Sequence, residues 1–259
     1  MTRQFKGTVW ITGASSGLGF SLAQTYLVNG WKVIASSRSK GELKLLLDSE
    51  NKDRSAQDGL VFVPFDMSDK HGHSDVRVQL EKECSSLDLA ILNAGTCEYL
   101  EIENPDWSMM SKINHINYLG LVNSVEICLP LLKKGNKSLL VGVSSQAVNA
   151  PFPKAEAYGA SKAAIRYFLS SLRMDLKQFN IDVSCVLPGF VDTPLTKKNE
   201  FSMPFLMSSE AAASRIFNAL KNRPFEYAFP KRLSVILYLA RAFPKTWLRL
   251  NTNGSHSTK

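Results

Sequence analysis

Thr8-Val-Trp-Ile-Thr12 runs without interruption into Gly13-Ala-Ser-Ser-Gly17-Leu-Gly19, and an apolar-periodic pattern then continues through Leu27. This succession predicts a buried strand, a glycine turn and a helix, which is the order that binds phosphate. Gly13 permits the tight turn, Gly17 lets backbone approach a pyrophosphate, and Gly19 lets the helix pack closely on the strand. The spacing is Gly-x-x-x-Gly-x-Gly rather than Gly-x-Gly-x-x-Gly, and taken alone it also fits a plain loop.

Outward from this stretch, β-rich apolar runs at 8–12, 31–36, 60–64, 88–92, 138–143 and 181–187 alternate with helical patterns near 17–29, 40–50, 73–85, 106–132, 154–179 and 209–222. A further short strand is expected near 225–229. The alternation predicts an α/β fold with a doubly wound parallel sheet of about seven strands, flanked by helices. At 259 residues, 44% hydrophobic and 21% charged, the chain fits a single domain spanning 1–259. The polar stretch 48–59 reads as a mobile surface loop. No repeat, low-complexity tract or linker divides the sequence.

The chemistry is concentrated later. Tyr158-Gly-Ala-Ser-Lys162 lies in the 154–179 helical pattern, and Ser145 ends the apolar run before it. Residues four apart project from one helix face, so the ammonium of Lys162 is expected beside the Tyr158 phenol, favouring phenolate and lowering its pKa. A phenol, an amine and a hydroxyl so placed suit proton transfer between carbonyl and alcohol. Tyr-x-x-x-Lys by itself is also a common solvated helix pair.

Together these residues resemble the classical short-chain dehydrogenase/reductase family. Thr12 to Gly19 matches its cofactor glycine motif, Asn93-Ala-Gly95 the motif after the fourth strand, and Asn117 with Gly120 the helical asparagine segment. Ser145, Tyr158 and Lys162 match the catalytic residues, and Pro188-Gly189-Phe-Val-Asp-Thr193 the proline-glycine turn with its nicotinamide-contacting threonine. The resemblance implies a Rossmann-type fold and a catalytic set of Ser145, Tyr158, Lys162 and Asn117, with Asn117 anchoring a water that connects Lys162 to solvent. It implies cofactor contacts from Gly13, Ser15, Ser16, Gly17, Leu18, Gly19, Ser37, Arg38, Asp66, Met67, Asn93, Ala94, Gly95, Tyr158, Lys162, Pro188, Gly189, Val191 and Thr193. At the end of the second strand no acid stands where a carboxylate would hold both ribose hydroxyls of NAD. Ser37 occupies that position, and Arg38 offers a planar fork suited to phosphate, so NADP(H) is favoured over NAD.

The implied activity is hydride transfer between NADP(H) and a carbonyl or alcohol, with Tyr158 as acid/base and Ser145 holding the substrate oxygen. Two alternatives stand beside it: a 3-oxoacyl-carrier-protein-type reductase, and a non-catalytic NADP-binding sensor or scaffold. Residues 146–155 and a lid at 189–208 supply Val148, Phe152, Phe190, Leu195, Phe201, Met203, Phe205, Leu206 and Met207, an apolar wall that points to a lipophilic substrate. Some of these residues are expected to pack the lid onto the core instead.

Cys84, Cys97, Cys128 and Cys185 are scattered without a paired spacing and read as reduced thiols. The four histidines read as surface residues rather than a metal site, so no metal is expected. No apolar segment precedes the first strand, which suggests a cytoplasmic protein. The formal net charge is +8, and no acid follows Glu226, while Lys231, Arg232, Arg241, Lys245, Arg249 and Lys259 do. Segment 230–250 therefore reads as an amphipathic contact with an anionic membrane or a partner subunit, or as a last helix covering the core. Nucleic acid is not an expected partner. A homodimer or homotetramer is expected, built on helices 106–132 and 154–179 through Leu121, Val125, Phe168, Leu169 and Leu172.

Overall fold

The computed structural model describes residues 5–47, 59–69, 72–199 and 201–253. β1 (Thr8–Thr12) enters the glycine turn and α1 (Gly17–Val28), and β2 (Lys32–Ser37) follows. A 3-10 turn leads into the one-turn α2 (Lys44–Leu47), then β3 (Leu60–Pro64), α3 (His73–Glu83) and β4 (Leu89–Leu92). α4 (Ser108–Asn114) continues through a π-helical segment (His115–Leu119) into α5 (Gly120–Lys134), after which come β5 (Leu139–Val143), α6 (Glu156–Leu176) and β6 (Asp182–Pro188). The two-residue strands β7 (Val191–Asp192) and β8 (Met207–Ser208) pair with each other. α7 (Ser209–Leu220), β9 (Glu226–Phe229), α8 (Lys231–Ala242) and α9 (Pro244–Asn253) complete the chain.

Seven strands form one parallel sheet in the order β3-β2-β1-β4-β5-β6-β9. Strand residues alternate between its two faces, as a period of two requires. Val9, Ile11, Val33, Leu89, Ile91 and Val141 meet α1 and α7 on one side, whereas Trp10, Ile34, Ala90, Leu92 and Leu140 meet α3, α5 and α6 on the other. Trp10 is fully buried, and its indole N–H donates to Ser36 Oγ at 2.9 Å, so the largest side chain of β1 brings no unsatisfied donor into the core. The order reverses between β2-β1 and β1-β4, which opens a crevice at the carboxyl ends of the central strands.

Several expectations change. The helix expected at 106–132 carries a π segment, because Asn117 is held from outside the helix: it accepts from Thr96 N at 2.7 Å and donates to Thr96 O at 2.9 Å. Segment 189–208, expected as a lid, shows no long helix among its described residues; it contains the β7-β8 pair and a 3-10 turn at Thr196–Lys198. The surface loop expected at 48–59 lies, apart from Gly59, outside the described residues, as do His71, His256 and Lys259. Of the remaining histidines, His73 is half-buried, edge-on to Phe65, and His115 Nε2 lies 3.0 Å from Ser68 O.

The apolar residues assigned to an oligomer contact differ in burial. Leu121, Val125 and Leu169 are buried in the core, and Phe168 and Leu172 pack against it. The large apolar side chains that α6 exposes are Tyr167 and Met174. Segment 230–250 is two helices rather than one, and Leu233, Leu237 and Ala240 of α8 pack on Ala150, Phe152 and Phe190. Its inner face is therefore core, as the second reading of that segment expected.

Candidate active site

The carboxyl ends of β1, β2, β4, β5 and β6 meet around a cleft of about 570 Å³. All of the expected catalytic and cofactor residues line it except Asn117, which is fully buried one layer behind Gly95. Gly13 and Gly17 have φ of 68° and 53°, conformations that favour glycine. A Cβ on Gly17 would stand 2.9 Å from Thr193, so the glycine turn and the threonine face each other across the cleft floor. Ser16 occupies the N-cap position of α1 yet makes no side-chain cap, leaving the first-turn N–H groups without that acceptor where the helix opens onto the cleft. These features fit a pyrophosphate.

Asn93 ties the wall together: its backbone N–H donates to Thr12 Oγ1 at 3.1 Å and its side chain donates to the carbonyls of Thr12 and Gly13 at 3.3 and 3.4 Å. At the far end, the Ser37 hydroxyl donates to Ser39 O at 2.6 Å, so it is engaged by its own loop. Arg38 is exposed on the cleft wall. Asp66 accepts from Ser68 Oγ and N, and chiefly that hydroxyl bond, with Arg38 and His115 adding, holds its carboxyl below the usual range.

Ser145 caps a 3-10 turn (Gln146–Val148), its Oγ accepting from Ala147 N at 3.1 Å. Ser144 points the other way and donates to Lys162 O at 2.8 Å, fastening β5 to α6. Lys162 is 5% exposed; its Nζ donates to Val143 O at 3.0 Å and lies 5.8 Å from the Tyr158 ring centre. The lowered phenol pKa expected from Lys162 is not found. Burial pushes Tyr158 up to about 12, a hydrogen bond with Ser145 works against this, and the ammonium is drawn to the strand carbonyl instead. The phenol is thus held protonated, ready to donate.

Burial lowers Lys162 from its ordinary 10.5 to about 8. Between those values the unfolded chain binds the extra proton, so stability rises with pH there, and the burial penalty is present in full below pH 8. Lys162→Met is expected to raise stability by about 2 kcal/mol at neutral pH, after allowing for the hydrogen bond lost to Val143. The gain should fade between about pH 8 and 10.5 while turnover is lost. Thermal unfolding across that range, with an activity assay alongside, checks both.

Other residues at the site were not anticipated. Glu98 and Lys112 form a 2.7 Å ion pair on the cleft wall. Tyr99 donates to Asn199 Oδ1 at 2.6 Å, and burial, followed by the nearby Cys97, raises its phenol above the ordinary range. Glu98 and Tyr99 follow Gly95 in the segment after the carboxyl end of β4, a position that marks ligand-contacting loops in such sheets, whereas Lys112 comes from α4. Of the expected apolar wall, Leu195 lines the cleft. Phe152 and Phe190 pack against α8, Val148 and Met207 join the two main cores, and Phe205 and Leu206 are exposed. Met203 Sδ accepts from Asn199 Nδ2, and Phe201 is edge-on to both Tyr99 and Phe190, at 5.7 and 6.0 Å. Among the described residues, no three His, Cys, Asp or Glu converge as a metal site would require, and all four cysteines are free.

Comparison with known proteins adds four results to this geometry. Residues 7–203 match the family model described as short chain dehydrogenase. An uncharacterized oxidoreductase of Myxococcus xanthus is 32% identical over 239 residues, covering 92% of both chains. A short chain dehydrogenase/reductase from Burkholderia phymatum, solved with NAD, superposes with a TM-score of 0.81 at 19% identity, covering 95% of this chain and 97% of its own. Another from Burkholderia cenocepacia, solved with NADP, gives 0.78 at 22% identity, covering 97% and 99%.

Proposed function

The chain belongs to the short-chain dehydrogenase/reductase family, oxidoreductases of hydroxyl and carbonyl groups, and on that premise we propose that it is an NADP(H)-dependent enzyme acting on a lipophilic carbonyl or alcohol. The observation that carries the reading is the convergence of Ser145, Tyr158 and Lys162 on a cleft whose other end offers Arg38 and no acid at the close of β2. A bound nicotinamide dinucleotide supplies the hydride. The glycine turn and α1 N-terminus hold its pyrophosphate, Arg38 its 2′-phosphate, and Lys162 its nicotinamide ribose.

Ser145 holds the substrate oxygen, and Tyr158 delivers a proton to it as the carbonyl is reduced; in oxidation Tyr158 takes that proton back. Lys162 contributes charge and position rather than a permanent phenolate. Leu195 and Ile116 on the cleft wall support an apolar substrate body. A panel of carbonyl compounds with NADPH, followed by absorbance loss, tests the activity, and no turnover across short and long apolar ketones and aldehydes would sink it.

Cofactor choice is tested separately. Arg38→Asp replaces attraction for a phosphate with repulsion and is expected to weaken NADPH at least a hundredfold relative to NADH, roughly 3 kcal/mol. An unchanged ratio of kcat/KM for the two cofactors would show that Arg38 does not read the phosphate.

A further inference from the structure

α8 buries one face and leaves the other apolar. Leu233, Leu237 and Ala240 are at most 7% exposed, whereas Val235, Ile236, Tyr238, Leu239 and Phe243 are 43–63% exposed. Leu248 and Leu250 of α9 are 54% and 68% exposed. Such a contiguous apolar face on a protein surface marks an interaction site. The charges around it have one sign: Lys231, Arg232, Arg241, Lys245 and Arg249 are all exposed, and no acid follows Glu226 in the sequence.

We propose that α8 and α9 dock this protein on an anionic lipid bilayer. The pattern of apolar side chains between cations matches a surface that is apolar within and anionic at its headgroups. A second copy fits poorly, because an isologous contact would set this basic face against itself with no carboxylate to answer it. A carboxylate-rich protein surface would satisfy the cations but leave Val235, Leu239 and Phe243 facing charge. Arg241 also borders a shallow cleft with Tyr167 and Ser170 of α6, room for a headgroup phosphate beside a cation. No helix among the described residues is long and apolar enough to cross a membrane, so the contact is at the surface.

The helix that carries the docking face packs by its opposite, buried side on Gly189, which lines the catalytic cleft. A Cβ on Gly189 would lie 2.7 Å from Leu233 of α8, and Phe190 packs on the same helix. Phe201, 45% exposed, is edge-on to Phe190 on that same side. On the functional reading above, docking would then hold the site close to the bilayer in which a lipophilic substrate dissolves.

The test is flotation of the full chain with vesicles of phosphatidylcholine alone and of phosphatidylcholine with about one third phosphatidylglycerol. Binding is expected to the anionic vesicles at low salt, at least tenfold stronger than to neutral ones. It should weaken as salt shortens the screening length to about 10 Å at 0.1 M. Arg241→Glu with Lys245→Glu should reduce it more than tenfold, since each basic residue removed loses about fivefold, and Val235→Asp with Leu239→Asp should reduce it comparably. These positions are exposed, so circular dichroism should be unchanged, and the binding readout does not depend on turnover, which separates this proposal from the catalytic one. Absent binding, equal binding to both vesicles, or indifference to both double variants would overturn it. So would a light-scattering dimer that Val235→Asp with Leu239→Asp converts to monomer without any vesicle binding in the parent.

Discussion

Tyr158→Phe is expected to lower turnover about a thousandfold while nucleotide affinity stays within a few-fold of the parent. General acid/base catalysis contributes roughly 10²–10⁴ to rate, and a thousandfold loss corresponds to about 4 kcal/mol of transition-state stabilisation. On the proposed mechanism the phenol meets the substrate oxygen, whereas the glycine turn, Arg38 and Thr193 lie on other parts of the cleft wall. The phenol is also the partner of Ser145, so Ser145→Ala should cost about a hundredfold through loss of the oxygen contact. Turnover and NADPH binding by fluorescence separate chemistry from affinity. Parental turnover in the phenylalanine variant would remove Tyr158 from the mechanism.

Gly13→Val is expected to cost about 3–5 kcal/mol of stability and to abolish detectable nucleotide binding. At φ of 68° a β-branched residue is strained, and a Cβ there would stand 2.7 Å from the backbone of Ala94, which cannot yield without moving the end of β4. Gly159 provides the contrast. It lies inside α6 with nothing within 4 Å of an added Cβ, so Gly159→Ala should stabilise by about 0.5–1 kcal/mol. Denaturant unfolding of the two variants decides the point; equal effects would mean that the glycine turn does not tolerate or refuse side chains for the reason given.

What could be read from the chain alone depended on whether the cause was local. β1, the glycine turn and α1 are written in contiguous periodicity and glycine placement, and they lie where expected. The π segment was not legible, because it is stabilised by Thr96, far upstream of Asn117 in the chain. The same holds for the apolar residues of 146–155 and 189–208. Their composition suggested a substrate wall, but whether Phe152 and Phe190 face a ligand or a helix is decided by α8, which follows them in sequence. The Tyr158 pKa failed for a related reason: spacing places Lys162 on the right face, while burial, which no spacing reveals, sets the direction. The four-residue β9 was anticipated from its β-rich composition, yet the two-residue β7 and β8 are too short to leave a period.

The strand order has a consequence for the chain during its own synthesis. β1 lies between β2 and β4, with Thr12 opposite Ser36 on one side and Leu92 on the other. A chain growing from its N-terminus can pair one edge of β1 as soon as residue 37 is made, but the other edge stays bare until residue 92 has emerged. During that interval Val9, Trp10 and Ile11, buried in the finished sheet, form the apolar edge strand of a half-built one. The nucleotide cleft inherits the same schedule, because the glycine turn is braced by Asn93 and Ala94. The brace of the glycine turn is thus available once Ala94 has been made, whereas Thr193, which faces Gly17, and Tyr158 and Lys162 of α6 join the cleft only later in synthesis.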